Sequence, residues 1–160
     1  MRVLVSGGVL LAVMLVVLAA CSPVTVLNGV AQGPFSVTHD IAYAPYKRDS
    51  LDVYKPVHAH NAPVVVFYYG GSWQDGDKAM YRFVGATLAE NGVVTIIPNY
   101  RLYPDTLFPG FLQDSAAAFA WAHAHAADYG GNPDQIFVMG HSAGAYNAAM
   151  LALDPEWLAP

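Results

Sequence analysis

Gly140-His141-Ser142-Ala143-Gly144 joins the apolar run Gln135 to Met139 to the alanine-rich run that begins at Ala143. A serine hydroxyl is a poor nucleophile until a base takes its proton, and it must project clear of the backbone to reach a carbonyl. A tight strand-to-helix turn achieves the second requirement, and Gly140 and Gly144 leave room for the chain to fold closely. The helix that follows aims its amino end, with unpaired N–H groups, at the point where negative charge develops. The bland reading is a plain glycine turn. The strand-turn-helix setting favours a serine poised for nucleophilic attack, with Ser142 as the catalytic candidate.

Such an attack needs donors for the oxyanion. Tyr69-Gly70-Gly71-Ser72-Trp73 follows another apolar run, Pro63 to Tyr69. Glycines placed there let backbone N–H groups face a cavity. The candidate oxyanion hole is the N–H groups of Gly71 and Ser72 with that of Ala143, and Gly70 is the alternative to one of the first two. A Gly-Gly after a strand is by itself a common turn; its weight comes from the serine turn downstream.

These two loops must be carried by a sheet. Val37 to Tyr43 alternates weakly and suits a strand, and Leu51 to Tyr54, stopped by Pro56, suits a short one. Pro63 to Tyr69 is a near-continuous apolar run of the kind found in strands covered on both faces, and Val93 to Ile97 and Gln135 to Met139 are expected as two further buried strands. Lys78 to Glu90 has helical spacing and stops at Asn91-Gly92, with Asp77 as its N-cap. Phe111 to Tyr129 is expected as a second helix before Gly130-Gly131, and Ala143 to Leu153 as a third. Buried strands alternating with helices predict βαβ units: an α/β fold, a three-layer α/β/α sandwich with a mostly parallel sheet. Active groups in such sheets lie at the carboxyl ends of the strands, and both glycine loops fall there.

Composition removes several function classes. Of 160 residues, 55% are hydrophobic and 12% charged, so the bulk of the chain is not disordered. A net charge of −5 without a Lys/Arg cluster argues against a nucleic-acid partner. Cys21 is the single cysteine, so no intramolecular disulfide forms. No Cys/His cluster has zinc spacing, and His123 and His125, two apart in a helical run, point to different faces. His39, His58 and His60 are expected to be solvated. Trp73, Tyr103 and His141 are candidates to line the substrate pocket, although aromatic residues more often fill cores.

The amino terminus reads as a targeting segment. Arg2 precedes an apolar stretch from Val9 to Ala20, in the manner of a secretory signal peptide. Leu18-Ala19-Ala20-Cys21 resembles the lipobox of bacterial lipoproteins, which implies cleavage before Cys21 and lipidation of that residue. Ordinary cleavage after Ala20 fits less well, because Leu18 occupies a position where small residues are wanted; an uncleaved anchor is the remaining alternative. The expected organisation is a signal peptide over 1–20, a tether over 21–34 and the catalytic fold over 35–160. The expected location is the bacterial cell envelope, membrane-anchored and facing the periplasm or exterior.

Taken together, several stretches resemble the α/β-hydrolase esterase/lipase family, most closely its bacterial carboxylesterase-like and arylformamidase-like branch. They are Asp52-Val53-Tyr54, Tyr69 to Trp73, Asn99-Tyr100-Arg101-Leu102-Tyr103-Pro104, Phe108-Pro109, Asp114, Gly131 to Ile136 and Gly140 to Gly144. The resemblance covers about Phe35 to Pro160. It implies a serine carboxylesterase acting on a small-molecule ester through an acyl-enzyme, without cofactor or metal. An aryl-amide or formamide hydrolase and a non-catalytic surface lipoprotein fragment are the alternatives. It also implies that Arg101 and Asp114 fix the loop after the fourth strand. Tyr69 stands where the family usually has a histidine that braces the oxyanion loop. In this family the triad runs serine, acid, histidine. After Ser142 the only acids are Asp154 and Glu156, and no histidine follows. Without its base a triad serine loses a factor on the order of 10^4 or more. The expectation is therefore an amino-terminal part of a longer hydrolase, inactive alone, with C-terminal strands missing and the Gln135 to Met139 strand left at a sheet edge.

Overall fold

The computed structural model describes residues 23–158. The signal peptide expected over 1–20 and Cys21 lie outside the described residues. Five strands, Phe35–Ala42 (β1), Ser50–Pro56 (β2), Ala62–Tyr68 (β3), Val94–Pro98 (β4) and Gly131–Gly140 (β5), form one sheet in the order β1-β2-β4-β3-β5. β1 pairs antiparallel with β2, and β2 antiparallel with β4. β3 pairs parallel with β4 on one side and β5 on the other. Only β2 runs against the rest, in keeping with the mostly parallel sheet expected.

The described residues hold four helices: Pro23–Val30 (α1), Arg82–Glu90 (α2), Gly110–His125 (α3) and Ala143–Leu153 (α4). The chain steps from β3 to β4 in one direction and from β4 back past β3 to β5 in the other. Right-handed crossovers then place α2 and α3 on opposite faces. α2 packs on β2 and β4, whereas α3 and α4 pack on β3 and β5 and on each other. The core is the filling of these layers: Leu51, Val53, Val64, Val66, Ile96, Ile97 and Leu112 are fully buried. Their β-branched and aliphatic shapes suit a pleated surface covered on both sides.

Three expectations are refined. Lys78 to Glu90 is not one helix: Lys78–Tyr81 is a 3-10 turn, and the α-helix begins at Arg82. The cause is the anchoring of the turn, because Asp77 Oδ1 accepts from Ala79 N at 2.9 Å while Asn99 Oδ1 accepts from Lys78 N at 2.8 Å. The Phe111 to Tyr129 helix likewise ends at His125 and passes into a 3-10 turn over Ala126–Tyr129, which Gly130 closes at φ 77°. The third concerns the segment expected as a tether. Its Pro23–Val30 part is the helix α1, held down by Asn28. Asn28 Nδ2 donates to the carbonyls of Ala79 and Met80 at 3.1 and 3.3 Å, and its Oδ1 accepts from Phe83 N at 2.9 Å. A polar residue in an otherwise apolar stretch thus satisfies the free amino end of α2.

β5 is an edge strand of the described sheet, with Phe137 58% exposed. No helix among the described residues is long and apolar enough to cross a membrane.

Candidate active site

Ser142 sits where β5 turns into α4, at φ 51° and ψ −118°. A non-glycine residue at that φ carries strain of order 1–3 kcal/mol, which the surrounding packing must hold. Serine in the N-cap position ordinarily bonds its hydroxyl to the helix. Ser142 makes no such bond, and it is exposed. Its hydroxyl is therefore committed neither to the helix nor to the core.

The glycines around it are there for contact. A Cβ on Gly144 would lie 2.1 Å from Tyr68 O, so α4 leaves β5 pressed against the end of β3. A Cβ on Gly70 would lie 2.9 Å from Ser142 Cβ, His141 O and His141 Nδ1. The loop after β3 and the serine turn after β5 thus meet in direct contact. This follows from the parallel pairing of the two strands, in which Tyr68 stands opposite Gly140.

The loop bends sharply. Gly71 adopts φ 132° with Asp75 O filling the place of a side chain, and Ser72 and Trp73 both have positive φ. Gly71 O takes the N–H groups of Gln74 and Asp75 at 2.9 and 3.0 Å. Among the described residues no acceptor takes the N–H of Gly71, Ser72 or Ala143. That of Ala143 is an orphan donor of the first helical turn. Three free donors beside an uncommitted serine hydroxyl can receive the oxygen of a carbonyl under attack.

Tyr69 is fully buried, and its ring stacks on Tyr100 at 4.6 Å between centroids. Its hydroxyl accepts from Arg48 Nη2 at 3.0 Å, and the same guanidinium donates to Gly76 O. The ring also lies directly under Gly76, where a Cβ would come within 2.7 Å of it. Tyr69 and Arg48 therefore support the far end of the loop from beneath. Burial holds the Tyr69 hydroxyl above its ordinary pKa although the Arg48 charge opposes this, so the phenol stays neutral.

Of the pocket candidates, Trp73 stacks on Phe111 at 5.1 Å and meets Tyr146 edge-on at 5.4 Å. Tyr103 is exposed, and its N–H bonds Trp73 O at 2.7 Å, so these two share one side of the loop. His141 is exposed on the serine turn, with its Nδ1 3.0 Å from the hydroxyl of Tyr81. Cavities of about 600 Å³ beside Phe119 and Trp157, and about 490 Å³ beside Tyr46, Arg48 and Arg101, do not include Ser142. Arg101 and Asp114 form a two-pronged ion pair, Nη2–Oδ1 2.7 Å and Nε–Oδ2 2.8 Å, and Asp114 also accepts from Arg101 N. Those bonds push the Arg101 pKa up. The pair closes the loop after β4 onto α3.

Two groups escape sequence reasoning. Asn147, fully buried on α4, accepts from Trp73 Nε1 at 3.0 Å and donates to Ser115 Oγ at 3.1 Å. It ties the loop after β3 to α3 through α4, and only its polarity among alanines hinted at a role. The second is Asp52, whose carboxylate accepts from Lys78 Nζ at 2.6 Å and from Asp40 N at 3.0 Å. Its other oxygen meets His39 Nδ1 at 2.9 Å, so His39 has a partner beyond solvent. Lys78 and Asp52 are both buried, and the pair fixes the turn that follows the Gly70–Trp73 loop to β2. Among the described residues no group of three or more His, Cys, Asp or Glu could hold a metal ion.

Comparison with known proteins points the same way. Residues 51–157 match the family model described as BD-FAE. The protein named "Probable isoprenylcysteine alpha-carbonyl methylesterase" of Arabidopsis thaliana is 36% identical over 114 residues, which cover 71% of this chain and 24% of that one. A carboxylesterase of Mycobacterium tuberculosis is 38% identical over 98 residues, covering 61% and 31%. The solved structure of the Pyrobaculum calidifontis esterase superposes with a TM-score of 0.72 at 30% identity, covering 83% of this chain and 44% of that chain. The fold is accordingly that of the α/β-hydrolases. The chain spans about a quarter to a third of the length of the curated relatives it matches.

Proposed function

This chain belongs to the BD-FAE family of α/β-hydrolase esterases, and from that premise we propose that it carries the nucleophile and the oxyanion hole of a serine carboxylesterase. Ser142 Oγ attacks the ester carbonyl carbon, and the carbonyl π electrons move to oxygen. The N–H groups of Gly71, Ser72 and Ala143 receive that oxyanion. Collapse expels the alcohol and leaves an acyl group on Ser142, which water then removes by the same path in reverse. The observation that carries this reading is Ser142 itself: φ 51°, no capping bond and direct contact with the Gly70 loop.

The proton must be taken by a base. No histidine follows Ser142 in these residues, and the relatives are three to four times longer than the stretch they share with the chain. The base and its orienting acid are therefore assigned to the remainder of a longer protein. Cys21 is assigned as the lipid attachment point that holds the enzyme at the bacterial cell envelope. The substrate is a small ester; the relatives are named for ester cleavage, which favours it over an aryl amide or formamide.

The test uses the full-length protein. A fluorophosphonate probe should label it at Ser142, and Ser142→Ala should abolish both labelling and p-nitrophenyl acetate hydrolysis. Absence of labelling in a folded wild-type protein would sink the reading. Faster turnover of N-formylkynurenine than of esters would move it to the amide class.

A further inference from the structure

The helix α1 is built the wrong way round for a surface helix in water. Val24, Asn28 and Ala31 face the protein, and the bonds of Asn28 to Ala79, Met80 and Phe83 dock it there. The side turned outward carries Val26, Leu27 and Val30, spaced i, i+1 and i+4 so that they form an apolar strip, with Thr25 and Gly29 exposed beside it. Val30 is 72%, Val26 48% and Leu27 43% exposed, and Met80, on the turn against which α1 packs, is 43% exposed. The whole stretch from Val3 to Thr38 contains no Asp, Glu, Lys or Arg.

Chain geometry limits what can cover this strip. Cys21 precedes Pro23 by two residues, which reach at most about 7 Å even when fully extended. α1 itself is eight residues, or about 12 Å long. With Cys21 acylated and at the membrane surface, every residue of α1 lies within roughly 20 Å of the acyl chains. Eight residues are too few to span a bilayer but enough to lie on one. We propose that α1 and Met80 rest on a lipid bilayer, making the strip a membrane-docking surface that orients the domain. The inference rests on the lipid-anchor part of the proposed function.

The docking places the active site close to the membrane. Ala79 and Met80, which Asn28 grips, belong to the turn that follows the oxyanion loop, and Tyr81 in that turn bonds His141 beside Ser142. A chain of bonds thus links α1 through the Lys78–Tyr81 turn to the residue next to Ser142.

The experiment places p-benzoylphenylalanine at position 27, at position 30 and, as a comparison, at exposed position 60 near the opposite end of the sheet. Each is made in the full-length lipidated protein, which is reconstituted into phosphatidylcholine–phosphatidylglycerol vesicles carrying tritiated phosphatidylcholine. Illumination should give tritiated protein at 27 and 30, well above that at 60. Adducts from 27 and 30 to the protein's own peptides, or lipid adducts no stronger than at 60, overturn the proposal. Mass spectrometry of the mature amino terminus separately decides whether Cys21 is acylated. Failure of the anchor and failure of the docking surface are therefore told apart.

Discussion

Gly70→Ala isolates the contact between the proposed oxyanion loop and the proposed nucleophile, Ser142. Gly70 is not among the residues with positive φ, so its backbone accepts alanine without strain. The added methyl would lie 2.9 Å from Ser142 Cβ, His141 O and His141 Nδ1, about half an ångström short of ordinary contact. All three atoms belong to the serine turn, so the loop and the turn must separate by that amount. A misplacement of about 1 Å can cost on the order of 10^2-fold in rate, so half of it costs roughly tenfold, or about 1.4 kcal/mol of transition-state stabilisation. The loss should fall on kcat for p-nitrophenyl acetate and on the rate of fluorophosphonate labelling. Gly92→Ala is the matched comparison: it has no neighbour within 4 Å but φ of 84°. It should lower stability by about 1 kcal/mol through backbone strain and leave the rate alone. A Gly70→Ala enzyme with wild-type kcat, or equal rate losses in both variants, would refute the argument that this contact positions the serine.

Asn147→Ala strands Trp73 Nε1 and removes the donor to Ser115 Oγ inside the protein. It should lower stability by about 1–3 kcal/mol, read as a lower denaturation midpoint at unchanged slope. Lys78→Met leaves Asp52 buried without its cation and should cost about 3 kcal/mol near neutral pH. The bond from Lys78 holds the Asp40 carboxyl below its ordinary 3.8, so that contribution is present above this value and fades as pH falls through the lower folded one. Burial pulls the Lys78 ammonium down, but its bonds to Asp40 and Asp52 more than reverse this and leave it above 10.5. Its contribution is complete below 10.5 and fades as pH rises past the folded value. Urea titrations should find the wild-type advantage flat between those limits and shrinking outside them; an advantage that shrinks at pH 7 would contradict the pairing.

The strands were legible because Val64 to Phe67 is apolar at every position and Val94 to Ile97 is broken only by the β-branched Thr95, a short pattern that suits a strand covered on both faces. The serine turn was legible because its glycines answer to steric limits that act locally. The bonds that hold the site together were not. Asn147 meets partners 32 and 74 residues away, and Asp52 meets Lys78 26 residues away, so no spacing in the chain announces either. The helix over Pro23–Val30 was not legible because small and apolar letters there looked like linker. The docking of α1 depends on one asparagine matching the free end of another helix.

The ladder between β3 and β5 also acts as a ruler. Tyr68 opposite Gly140 sets Ser142 beside Gly70, and a slip of one residue would carry the serine about 3.3 Å along and turn the strand's faces over. Gly144 opposes such a slip, because a residue with a side chain moved into its place would put its Cβ onto the carbonyls of Tyr68 and Tyr69. This one pairing therefore brings together the two loops proposed to supply nucleophile and oxyanion hole. Amide exchange at Val66 and Val138 would time the birth of the active site.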